Sequence, residues 1–156
     1  MTDAILGYSG GDYPSAKLHN LTFINTPPIA PLAGTKLSLF FSQNYSVNRV
    51  VVGEPGWKVK TEGYIYRLDD ESGAEIMSYH WHPSMKYPKF PHLHLKKGAA
   101  VAREELKSSH IPTGRISIES VVEFLIKEFH VMPRYPDWKL AVDENHGLFE
   151  KDRTWA

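Results

Sequence analysis

Thr61–Leu68 (TEGYIYRL) and Glu75–His82 (EIMSYHWH) stand on either side of Asp69-Asp70-Glu71-Ser72-Gly73. Both flanks are rich in aromatic and β-branched residues, which favour a pleated, half-buried surface. The cluster between them supplies turn chemistry: short Asp and Ser side chains bond back to their own backbone, and Gly accepts positive φ. The stretch therefore reads as an antiparallel hairpin. Side chains two apart share a face of a strand, so Tyr64 goes with Tyr66 and His80 with His82. Closing the hairpin symmetrically about Glu71 sets residue 64 opposite 78 and residue 62 opposite 80. That register puts Glu62, Tyr64, His80 and His82 on one face.

Before the hairpin, Lys36–Ser42 and Arg49–Val52 are further β-rich runs, with Asn44-Tyr45-Ser46 as a turn between them. Leu21–Asn25 forms a short strand, and the Pro27–Pro31 stretch is a connection, because proline cannot donate to a sheet ladder. Gly7, Gly10, Gly11 and Pro14 make residues 1–20 a loose lead, leaving 21–156 as the domain. After the hairpin, His92–Leu95 reads as a short strand and Ala99–Leu106 as a short helix. His110–Arg115 reads as a rigid turn, since Pro112 fixes φ and Gly114 permits φ > 0. Ser117 caps a helix over 118–129, whose apolar Ile118, Val121, Val122, Leu125 and Phe129 follow helical spacing. Glu123 and Lys127 pair on its wet side. Asp137 caps a last helix with Trp138, Val142 and Phe149 as its buried stripe. Strands come first and helices last. The fold class expected is α+β, a single domain with an antiparallel β-sheet and C-terminal helices packed on one face. The missing β-α-β alternation excludes a doubly wound nucleotide-binding fold.

Composition agrees with one ordinary globular domain: 156 residues, 42% hydrophobic and 23% charged. The absence of Cys removes disulfides, thiolate metal sites and cysteine nucleophiles together. No apolar run approaches a transmembrane span. The first residues, without a basic or long apolar region, do not read as a secretory signal. A formal net charge of zero hides an asymmetry: residues 80–115 hold seven Lys/Arg and two Asp/Glu, and five of the eight His. A local basic, His-dense third marks where an anionic ligand would sit.

Two His-x-His pairs lie in that third, His80-Trp81-His82 and His92-Leu93-His94. Extended chain projects both imidazoles of a pair from one face, a spacing that suits a shared metal ion. Without Cys, the remaining donors favour zinc, iron, nickel or manganese, with Glu62 or His110 as the further ligand. Cupin β-barrels also bind metal through His-x-His, but their pattern continues with a Glu about four residues on, and neither pair here has one. The metal-free reading uses His80, His82, His92 and His94 as acid and base in cleaving an RNA phosphodiester. Arg115 or Lys97 would stabilise the phosphorane charge. His110 through Arg115, just before a helix N-terminus, would hold a phosphate. Tyr64, Tyr66 and Trp81 would stack bases. The plain alternative is a polar sheet face with ordinary hydrogen bonds. No Walker loop, dinucleotide fingerprint or G-x-S-x-G elbow is present.

The strings Tyr64–Asp69 (YIYRLD), Pro91–His94 (PHLH) and His110–Arg115 (HIPTGR), with the ending Asp137-Trp138 through Thr154-Trp155, resemble those of a family of small uncharacterised prokaryotic proteins. More distantly, the layout of hairpin, Pro-His-x-His and C-terminal helix is similar to TumE-type toxins of toxin–antitoxin pairs. That resemblance implies a small cytoplasmic protein acting on RNA or a nucleotide and pairing with an antitoxin or regulator. The leading expectation is thus an RNA-directed hydrolase, a ribonuclease of the toxin or defence kind. It needs no cofactor, no membrane and no metal. The competing class is a non-catalytic binding or structural protein, either holding metal through its histidines or serving as a partner subunit.

Overall fold

The computed structural model describes residues 1–9, 18–50, 56–86, 88–100 and 104–152. They form a single α+β unit, an antiparallel sheet of eight strands with three helices, mostly C-terminal. In chain order the strands are β1 (Leu6–Ser9), β2 (His19–Phe23), β3 (Ile29–Pro31), β4 (Ser38–Val50), β5 (Gly56–Asp69), β6 (Glu75–Trp81), β7 (His92–Leu95) and β8 (Ile111–Pro112). The sheet runs β1-β2-β4-β5-β6-β7-β8, with β3 against β4. The helices are α1 (Glu104–Ser108), α2 (Ile118–Glu128) and α3 (Trp138–Asp152).

Several local expectations change. Leu6–Ser9, expected within the loose lead, forms β1 along β2. Ile29–Pro31 is a short strand at the edge of β4, a position where proline does no harm. The turn expected at Asn44–Ser46 does not form, and β4 runs on through it. Asn20 on β2 explains why: its amide donates to Ser42 Oγ and to Asn44 Oδ1, each at 2.9 Å, so the polar residues are satisfied within the sheet. Only a bulge between Asn44 and Tyr45 marks the place. Val51 and Val52 lie outside the described residues. So does the middle of the Ala99–Leu106 helix; what is described there is a 3₁₀ turn at Lys97–Ala99 and then α1.

The hairpin of β5 and β6 forms as expected, with a different register. Asp70 Oδ1 accepts from the backbone N–H of Ser72 and Ala74, and Gly73 takes φ +80°. These bonds centre the loop on Ser72 rather than Glu71, and a bulge at Leu68/Asp69 adds a further step. Tyr64 therefore pairs with Trp81, Ile65 with His80 and Tyr66 with Tyr79. The offset from the symmetric closure is odd, so the faces exchange. Tyr64 and Tyr66 share a face with Tyr79 and Trp81, not with His80 and His82.

The aromatic face is the core. Leu39, Phe41, Tyr64, Tyr66, Leu68 and Met77 pack there against Val121 and Leu125 of α2. The rings of Phe41, Tyr66 and Tyr64 lie parallel in a row, with centroids 5.4 and 4.6 Å apart. Ser117 caps α2 as expected, accepting from Ser120 N–H at 3.1 Å, and Glu123 meets Lys127 at 2.6 Å. Leu125 is 1% exposed. Phe124 packs on the core where Val122 was expected to. Trp138, Val142 and Phe149 make the inner side of α3.

Candidate metal centre

The other face of the sheet gathers histidines. Antiparallel pairing puts directly opposed residues on one side, and His80 of β6 is paired with His92 of β7. His82 follows His80 by two residues, and His94 follows His92 by two. On the far side, Leu93 pairs with Ile111, so His110, one step before β8, comes beside His94. Ring centroids are 4.9 Å apart for His80 and His94, 4.8 Å for His92 and His94, and 4.6 Å for His94 and His110. His82 lies 5.6 Å from His80. All five histidines of the central third thus converge, although they come from three separate strings.

Depth within the cluster is graded. His92 and His94 are 3% and 8% exposed, His80 is half-buried, and His110 is at the exposed rim. One donor nitrogen from each of His80, His92 and His94 lies within 4.8 Å of the other two. His92 Nδ1 is 2.9 Å from the carbonyl oxygen of Phe90. A carbonyl only accepts, so Nδ1 carries the proton and Nε2 keeps the lone pair. The His94 ring bonds the Ser109 backbone, and its buried Nδ1 has no hydrogen-bond partner.

Burial, then the neighbouring charges of His94, His82, His92 and Lys96, hold His80 down to about 3. Burial and Lys96, with the flanking imidazoles, hold His94 down to about 4. Burial also lowers His82. Near neutral pH His80 and His94 are therefore uncharged and offer lone pairs. Neutral imidazoles held together, with backbone carbonyls orienting the rings, form a donor set for a divalent transition metal.

The other expected site residues go elsewhere. Arg115 donates from Nη2 to the Thr61 carbonyl at 3.3 Å, and its guanidinium lies 4.2 Å from the Trp81 ring centroid. It stands on the aromatic face, with Tyr64, Tyr66 and Trp81, while the histidines occupy the opposite face. The Lys97 side chain lies outside the described residues. Glu62 bonds Ser46 and Lys60 rather than the histidines. Among the described residues, a cation beside the cluster is Lys96, which the sequence reading passed over. The signal was present: Lys96 is two residues beyond His94 and shares its face.

Among the described residues no helix is long and apolar enough to cross a membrane. Comparison with protein-family models, curated proteins and solved structures finds no match.

Proposed function

We propose that this protein holds a divalent transition metal, zinc first, on His80, His92 and His94, and uses the open side of that ion for hydrolysis. The observation that carries the reading is the approach of three imidazole donors to within 4.8 Å of one another. Three protein ligands with a position left open is the pattern of catalytic zinc, whereas structural sites close with four. His92 supports it with a tautomer already set by Phe90, and His94 with a buried, unbonded Nδ1. His110 stands at the exposed rim of the same cluster, 4.6 Å from the His94 ring.

RNA cleavage is the second reading, favoured by Lys96 beside the cluster and by the basic character of residues 80–115. In its metal-free form that reading gains no acid from His80 or His94, which are uncharged near neutral pH.

One experiment ranks the two. Protein purified without a His tag is analysed for metals, then assayed on single-stranded RNA with and without a chelator. The proposal expects close to one divalent ion per chain, lost in His92→Ala and His94→Ala. RNA cleavage that stops with chelator would name RNA as the substrate of the metal centre. Cleavage indifferent to chelator, by folded protein free of metal, would replace the proposal with metal-free acid–base chemistry.

A further inference from the structure

We infer that the aromatic face of the same sheet carries a second site, a cleft that takes a small organic anion with its acid group at Arg115 and its apolar body along α3. The cleft encloses about 700 Å³ between β5, the start of α2 and the outer half of α3. That is the size of an ordinary small-molecule pocket. No histidine of the metal centre lines it, so this inference stands or falls apart from the metal proposal.

The floor is rigid. Tyr64 and Tyr66 lie stacked at 4.6 Å, each 3% exposed. Tyr64 Oη accepts from Ile116 N–H at 3.0 Å, and Tyr66 Oη donates to Gln43 Oε1 at 2.7 Å. Gln43 in turn donates to Thr61 Oγ1 at 3.3 Å. Ile118, Leu148 and Phe149 make an apolar wall. Leu148 is 60% exposed, so its side chain is open to a ligand along that wall. Ser117 Oγ lies 3.3 Å from His146 Nδ1 and ties α3 to the start of α2, which keeps the wall in place.

The charges choose an anion. Lys58, Lys60 and Arg115 line the cleft against one carboxylate, Glu119, among the described residues. Glu62 meets Lys60 at 3.1 Å and also lies in the field of Arg115. Arg115 is the anchor because it is positioned: Trp81 lies under the guanidinium and the Thr61 carbonyl holds Nη2. A planar fork of donors fits a carboxylate or a phosphate, and both classes share that chemistry.

Phenylacetate and phenyl phosphate serve as probes, titrated calorimetrically and by amide chemical-shift mapping on the intact chain. Inorganic phosphate tests the acid group alone and benzyl alcohol the body alone. Saturable binding of either aromatic acid is expected, stronger than for both controls, with shifts at 58–61 and 115–118. Preference between the two acids separates a carboxylate ligand from a phosphate ester. Arg115→Gln should weaken binding roughly 10- to 100-fold, as expected for loss of a charge-assisted hydrogen bond. Leu148→Asp, at an exposed position that leaves folding intact, should weaken it too. His92→Ala should leave it unchanged. The inference is overturned if neither acid binds folded protein. It is also overturned if benzyl alcohol binds as well as the acids, or if both variants bind like the wild type.

Discussion

A buried imidazole resists protonation, the more so beside other imidazoles and Lys96, and His80 and His94 show both effects. Their values in the fold, about 3 and about 4, lie below the ordinary 6.5. Between those limits the unfolded chain binds the protons that the folded chain refuses. Unfolding is therefore favoured as the pH falls through that window, and stability is level above it. Metal-free protein should melt at a falling temperature from about pH 6.5 down to about pH 4, and His80→Gln should flatten the slope. Thermal melts in chelator across that range check it; a flat profile for the wild type would contradict the burial of these rings. The histidine pairs were legible from spacing alone, since two residues apart means one face. Arg115 was not, because which face it serves depends on the parity of the hairpin closed far earlier, at Asp69–Gly73.

α2 shows what periodicity does reveal. Its apolar spacing and its Ser117 cap placed both the helix and its start, and the core side follows except that Phe124 replaces Val122. Leu125→Ala removes a side chain that is 1% exposed and meets the sheet. Its cost should be about 2–5 kcal/mol, the usual loss for a leucine deleted from a packed core. A denaturant titration measures it, and a loss under about 1 kcal/mol would mean that α2 is not seated as described. The hairpin shows the opposite case. Its existence was visible in Asp69–Gly73, but its register follows from three bonds to Asp70 Oδ1 and a bulge. β4 was similarly split in the sequence reading because Asn44 and Ser46 look like turn residues. Their partners, Asn20 and Glu62, come from other strands.

For the molecule as a whole, the order of strands before helices was enough to give the α+β class, with helices on one side of an antiparallel sheet. What it left open was that the side away from α2 would be occupied by imidazoles. An ion held only by the folded state stabilises it by mass action, about 2.7 kcal/mol at a hundredfold excess over the dissociation constant. Zinc added to chelator-stripped protein should therefore raise the melting temperature in proportion to log concentration. His94→Ala should lose that response. A wild-type melting temperature indifferent to zinc would separate the cluster from metal altogether.

β6 and the residue after it alternate between the two sides: Met77, Tyr79 and Trp81 go to the core, and Ser78, His80 and, just past the strand, His82 to the imidazole face. In terms of how such a chain can diverge, two messages are interleaved letter by letter in one short strand. Substitution edits either message alone, so ligand choice on one side and cleft chemistry on the other can change independently. Loss or gain of a single codon between Ser78 and His82 edits both at once, dropping an indole among the ligands and an imidazole into the ring stack. Length variation among descendants of this chain therefore belongs in the proline-punctuated connection from Pro83 to Phe90, and β6 itself diverges by replacement alone.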